Sequence, residues 1–129
     1  MNLAEWLVRS AQLDPDAPAL FSGHEQVATY GEFAARAAGF AGALGGKLGI
    51  EPGDRIAIFA KNSVEYLIAM YGAWFAGAVI VPVNAKLHPR EAAWIVENSG
   101  AKLALITEDP GEALADLANA LSRLDALER

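Results

Sequence analysis

Residues 53–84 read GDRIAIFAKNSVEYLIAMYGAWFAGAVIVPVN, and the fold class follows from this stretch. The turn signal Pro52-Gly53-Asp54 launches Ile56–Ala60, an apolar, β-branched run of strand length. Asn62, with Glu65 three residues on, then reads as a helix-opening capping box. Val64, Leu67, Ile68, Tyr71 and Phe75 recur at helical spacing and are expected on one buried face. Gly77 stops the helix, and Ala78–Val83 is a second apolar, β-branched run. Strand, helix and strand in about thirty residues is the size of one βαβ unit. Runs that are apolar throughout belong in a sheet covered on both faces, which means parallel pairing.

Upstream, Asn2 and Glu5 mark a helix start with Leu3, Trp6, Leu7 and Ala11 as its apolar face. Asp14-Pro15 and Ala17-Pro18 end that helix, because a residue before proline leaves the helical region. Ala19–Phe21 and Val27–Tyr30 flank Ser22-Gly23-His24-Glu25 as a hairpin, with His24 a solvated turn residue. Thr29 and Glu32 form another capping box, opening a helix whose core stripe is Phe33, Ala37, Phe40, Leu44 and Leu48. The small residues between (Ala34, Ala35, Ala38, Gly39, Ala41, Gly42) offer a close approach to a neighbour.

Downstream, Asn84–Leu87 is a connection. His88 reads as a cap, Pro89 as the first helical residue and Glu91 as the acid of the first turn. Ala92, Ile95 and Val96 form the buried face, closed by Ser99-Gly100. A third strand follows to Thr107. Asp109, Pro110 and Glu112 then open a last helix with Leu114, Leu117, Leu121 and Leu124 on a stripe, core-facing or a dimer seam. The expected architecture is an α/β domain, a mostly parallel sheet of Arg55–Ala60, Ala78–Val83 and Lys102–Thr107 with flanking helices. It occupies residues 1–129 as one unit.

Bulk properties narrow the function classes. The 129 residues are 53% hydrophobic, which excludes a disordered chain. A net charge of −6 repels nucleic acid and anionic lipid, so neither is an expected partner. With no cysteine and no basic leader in MNLAEW, the expected setting is cytoplasmic. Tyr66–Val83 carries no charge over a span-length stretch, but Gly72, Gly77 and Pro82 interrupt it, so no membrane span is expected. Gly45-Gly46-Lys47-Leu48-Gly49 is no phosphate loop, because Leu48 stands where a hydroxyl must hold magnesium and no strand precedes it. It reads as a glycine-frayed helix end.

Ligands of open α/β sheets meet the carboxyl ends of the strands. Those ends carry Lys61 and Asn62, Asn84 and Lys86, and Thr107 and Glu108. No catalytic carboxylate pair, histidine set or nucleophile elbow accompanies them.

Three ordered blocks, GDRIAIFAKNSVEY, AWFAGAVIVPVN and LHPREAAWIVENSGAKLALIT, resemble the N-terminal region of the adenylate-forming enzymes, the AMP-binding superfamily, most of all its acyl-CoA synthetases. The upstream DPDAPALF and ATYGEF are similar to the same family's opening, so the resemblance spans nearly the whole chain. It implies a two-step ligase: a fatty or aromatic carboxylic acid and ATP, with magnesium, give an acyl-adenylate, and the acyl group moves to CoA.

Full members of the family are several times longer. Their phosphate loop, aromatic-Thr-Glu motif, ribose-binding Asp and C-terminal lysine match no position here. The chain is therefore expected to be an N-terminal fragment with no catalytic residue, inactive alone, binding no cofactor of its own and associating as a dimer or higher assembly. The one position the resemblance carries over is Lys86, where some relatives place a basic residue facing CoA phosphates; the other reading is a solvated loop lysine. The function alternative is a stand-alone interaction or scaffold domain of the same fold.

Overall fold

A computed structural model describes residues 2–106 and the backbone of 121–123. Helix α1 (Ala4–Leu13) leads to a hairpin of β1 (Pro18–Ser22) and β2 (Glu25–Thr29), then α2 (Tyr30–Gly46). Next come β3 (Arg55–Phe59), α3 (Val64–Phe75), β4 (Val79–Val83), α4 (Pro89–Ser99), β5 (Leu103–Ile106) and β6 (Leu121–Arg123).

The larger sheet runs in the order β4-β3-β5-β6. All three of its pairings are parallel, with Phe59 level with Val83 on one side and Ile106 on the other. The three expected strands therefore lie side by side in one direction. Alternation along them makes two cores. Ile56, Ile58, Leu103 and Leu105 face α1, α2 and α3, while Ala57, Phe59, Ala104 and Ile106 face α4. Helices on both faces are why β3 from Ile56 to Phe59 and the whole of β5 are apolar and buried; each fully buried Ile, Leu or Phe stabilises the fold by about 1.5–3 kcal/mol.

Capping chemistry sets most helix boundaries. Thr29 Oγ1 accepts the Glu32 N–H and Glu32 Oε1 accepts the Thr29 N–H, so the expected box opens α2. His88 Nδ1 caps α4 through the Arg90 N–H at 3.1 Å, with Pro89 as its first residue, and Gly100 ends it at φ 72°. The 45–49 segment is a helix end: α2 stops at Gly46 and Gly49 turns the chain at φ 66°.

Several expectations are corrected. Asn62 is not the α3 cap; Ser63 is, its Oγ accepting the Tyr66 N–H at 3.1 Å. Ala60 is still buried at the end of β3, so the chain runs through exposed Lys61 and Asn62 before it can turn. On α1 the Asn2 side chain accepts from Ala4, while the Glu5 N–H goes to the Asn2 backbone carbonyl. Ala4 and Leu7 are its buried residues, and Trp6 and Leu3 are exposed. Leu67 lies outside the α3 core face, which is Ile68, Ala69, Gly72 and Ala73. The close helix contact is supplied by Gly72 of α3; Gly39 and Gly42 of α2 face open space. Leu48 follows α2, half-buried against the core.

β4 is not covered on both faces. It borders the described sheet, and Val79 is 47% exposed. Leu121 lies on a strand paired with β5, not on a helical stripe, which removes the dimer-seam reading of that leucine. The helix start at Asp109, Pro110 and Glu112, the stripe residues Leu114, Leu117 and Leu124, and Thr107 and Glu108 lie outside the described residues.

Candidate functional site

Because β3 and β4 are parallel and level at Phe59 and Val83, the segments leaving them meet at one edge of the sheet. A cavity of about 530 Å³ opens there. It is lined by the apolar Ala60, Pro82, Val83 and Ala85, by Tyr66, and by Lys61, Asn62, Asn84 and Lys86. Four of the six residues expected at the carboxyl ends are thus gathered around one cavity. The chain passes from β3 out to β4 and returns to β5 on the other side of β3, the reversal beside which ligands of open sheets bind.

Local chemistry holds the Asn84–Lys86 part of the lining in shape. Asn84 Oδ1 accepts the Lys86 N–H at 2.9 Å, and the Asn84 carbonyl accepts the Leu87 N–H at 3.0 Å. This side-chain-supported turn carries Lys86, exposed. Tyr66, in the first turn of α3, has its phenol pushed above the ordinary 10.0 by burial, so it faces the cavity as a neutral hydroxyl.

The lining holds two lysines, two amides and a phenol, and no carboxylate. Among the described residues no group of three acidic, histidine or cysteine side chains could hold a metal ion. Magnesium therefore finds no fit in these residues, whereas an anion does.

Sequence reasoning missed Tyr66 as a site residue and missed an adjoining groove. That groove, about 780 Å³, lies between the hairpin and α3, lined by Phe21, Val27, Val64, Leu67 and Met70, and it shares Asn62 and Tyr66 with the first cavity. The legible signal was β1 alternation: Leu20 turns to the core, which sends Phe21 outward.

The fold and this edge define a class, an open parallel α/β sheet that presents polar side chains at the carboxyl ends of its strands. The chain belongs to the family of AMP-binding enzymes, whose profile matches residues 7–128. It is 36% identical over 117 residues to a feruloyl-CoA synthase of Amycolatopsis sp, covering 91% of this chain and 23% of that protein. It superposes on o-succinylbenzoate coenzyme A synthetase from Bacillus subtilis, solved with ATP and magnesium, at a TM-score of 0.85 and 27% identity, covering 96% of this chain and 33% of the other. The N-terminal domain of FACL13 from Mycobacterium tuberculosis gives a TM-score of 0.79 at 34% identity, covering 90% and 29%. The chain thus spans about a quarter of the length of the feruloyl-CoA synthase it matches (23%). Among the described residues no helix is long and apolar enough to cross a membrane.

Proposed function

We propose that residues 1–129 are the N-terminal subdomain of an acid–thiol ligase. In that reaction a fatty or aromatic carboxylate attacks the α-phosphorus of ATP, releasing pyrophosphate. The thiol of CoA then attacks the acyl carbon and AMP leaves. The adenylate converts a poor leaving group into a good one, and the residues that handle ATP and magnesium belong to the rest of such an enzyme. The observation that carries this reading is the 36% identity to a feruloyl-CoA synthase across 91% of the chain. The described residues support a division of labour. They offer no metal-binding carboxylate cluster but present Lys86 on a fixed turn at the carboxyl edge, a point charge suited to a CoA phosphate.

The test uses a full-length ligase that carries this segment, with ATP, CoA and a panel of fatty and aromatic acids. Acid-dependent pyrophosphate release and an acyl-CoA of the expected mass are predicted. The 129-residue chain alone releases no pyrophosphate. Absence of thioester with every acid, or turnover by the short chain, overturns the reading. In the full enzyme Lys86→Ala raises KM for CoA about fivefold, the value of roughly 1 kcal/mol for one solvent-screened charge, with kcat little changed. An unchanged KM removes Lys86 from the site.

A further inference from the structure

Thr29 and Ser63 cap α2 and α3 with hydroxyl oxygens, which do not titrate near neutral pH. The cap of α4 is of another kind: Nδ1 of His88 accepts the Arg90 N–H at 3.1 Å. An imidazole nitrogen accepts a hydrogen bond only while it carries no proton, so the neutral ring bears its proton on Nε2. A proton added at Nδ1 turns the acceptor into a donor facing a donor. It also places positive charge at the positive end of the helix. Both effects act against the first turn of α4.

We propose that His88 is a pH-sensitive latch, in which proton uptake at Nδ1 releases the first turn of α4 and the Asn84–Leu87 turn before it. The two turns share this residue. Asn84 holds the Lys86 N–H by its side chain and the Leu87 N–H by its carbonyl, and His88 follows directly. The His88 carbonyl in turn accepts the Glu91 and Ala92 N–H groups at 2.9 and 3.1 Å. The rest of α4 is held by other means. Ala92 and Val96 pack in one core with Phe59, Val83 and Ile106, and Arg55 donates to the Ser99 carbonyl at 2.8 Å. The latch therefore loosens one side of the carboxyl-edge cavity and leaves the sheet in place. This inference does not depend on the ligase reading.

The charged groups around His88 do not cancel the effect. Arg90 and Glu91 line with His88 and Trp94 a surface cavity of about 480 Å³, and Lys86 stands two residues upstream. Arg90 and Lys86 oppose a further positive charge, and Glu91 favours it. All three are exposed and screened by solvent, so the hydrogen bond decides. Of the strands in the core under α4, β4 and β5 carry no titratable residue, and β3 carries only Arg55, engaged at the other end of the helix. Lys61, just past β3, is a third cation at the carboxyl edge.

The experiment compares the 129-residue chain at pH 8 and pH 5.5, an interval in which imidazoles change charge. Long-range proton–nitrogen NMR is expected to show His88 with its proton on Nε2 at pH 8. On acidification the helical Cα shifts of Pro89–Ala92 are expected to shrink and the Lys86 and Leu87 amides to move, while Val96 and Ile58 stay. The unfolded chain binds the proton that the intact cap refuses, so stability falls with falling pH. In urea the folding equilibrium constant is expected to drop about fivefold over this interval, the typical worth of a cap.

His88→Asn keeps an acceptor that does not titrate and is expected to abolish the drop. His24→Asn removes the only other histidine, in the hairpin, and is expected to retain it. A proton on Nδ1 at pH 8, Pro89–Ala92 shifts that are the same at both pH values, or a drop that persists in His88→Asn overturns the proposal. So does a drop that disappears in His24→Asn.

Discussion

A Cβ built on Gly72 of α3 would stand 2.9 Å from the carbonyl oxygen of Ala37 in α2 and 2.7 Å from Cδ1 of Phe40. The two helices are thus pressed together at a backbone contact that tolerates no side chain. Gly72→Ala gains roughly 1 kcal/mol of helix propensity but forces the α2 backbone away, at about 1–3 kcal/mol. The difference, up to about 2 kcal/mol, is expected to lower Tm by up to about 8 °C. Gly39 in α2 has nothing within 4 Å of its own Cβ position, so Gly39→Ala is expected to raise Tm. Differential scanning calorimetry of the pair checks the sign, and two shifts in the same direction would contradict the packing.

The start of α3 distinguishes neighbouring polar residues. Ser63→Ala removes the oxygen that accepts the Tyr66 N–H and is expected to cost about 1 kcal/mol by urea denaturation. Asn62→Ala, one residue earlier, is expected to leave the midpoint unchanged. The reverse result would restore the cap to Asn62.

Asp54 Oδ2 accepts the Glu51 N–H at 2.8 Å, and Lys102 Nζ lies 3.2 Å from the same oxygen while also donating to the Gly49 carbonyl at 2.8 Å. The Glu51 hydrogen bond first, and Lys102 second, hold the Asp54 carboxyl below its ordinary 3.8. A folded-state value below the unfolded one means stability that is complete above the unfolded value and lost as pH falls through the folded one. Asp54→Asn is therefore expected to lower Tm at neutral pH and to flatten the acid limb of the Tm–pH curve below about pH 4. Parallel acid limbs in the two proteins would show that Asp54 contributes nothing to the pH dependence.

β4 carries its own protection against strand addition. The Val79 N–H donates to the Asp54 carbonyl, so along the strand Val81 and Val83 also turn their N–H groups toward β3, and Ile80 and Pro82 turn outward. Pro82 has no N–H to offer an incoming strand. Self-association of the 129-residue chain is expected instead through the hairpin–α3 groove, where Phe21, Val27 and Leu67 are 51%, 40% and 38% exposed. In sedimentation velocity, Phe21→Lys is expected to shift the chain toward monomer. Pro82→Val, which restores the outward donor, is expected to add larger species. A wild-type chain that sediments as a monomer at every concentration would contradict the groove reading.

Periodicity and cap residues carried much of the fold. β3, α3, β4, α4 and β5 lie within about two residues of their expected places, because their apolar runs, Gly77, Gly100, His88 and Pro89 act locally. The Thr29–Glu32 box is likewise a contact between residues three apart. Trp6, Leu67 and Val79 were misplaced because helical or strand period names a face without saying how wide the partner covering it is. The strand at Leu121 was misread because leucines spaced for a helix can also pair with β5, and only the neighbour decides. At the site, Lys61, Asn62, Asn84 and Lys86 were legible as strand ends. Their meeting in one cavity and the part played by Tyr66 were not.

What the chain determined by itself was its class, a parallel α/β unit of the AMP-binding family, since strand length, β-branching and the spacing of stops are properties of neighbouring residues. The tertiary structure alone decided that Ser63 caps α3 and Asn62 is released, that Gly72 is the point of closest helix approach, and that residues more than twenty positions apart line one cavity. Those outcomes depend on distances across the sheet and between helices, which are fixed only when the two cores close on it.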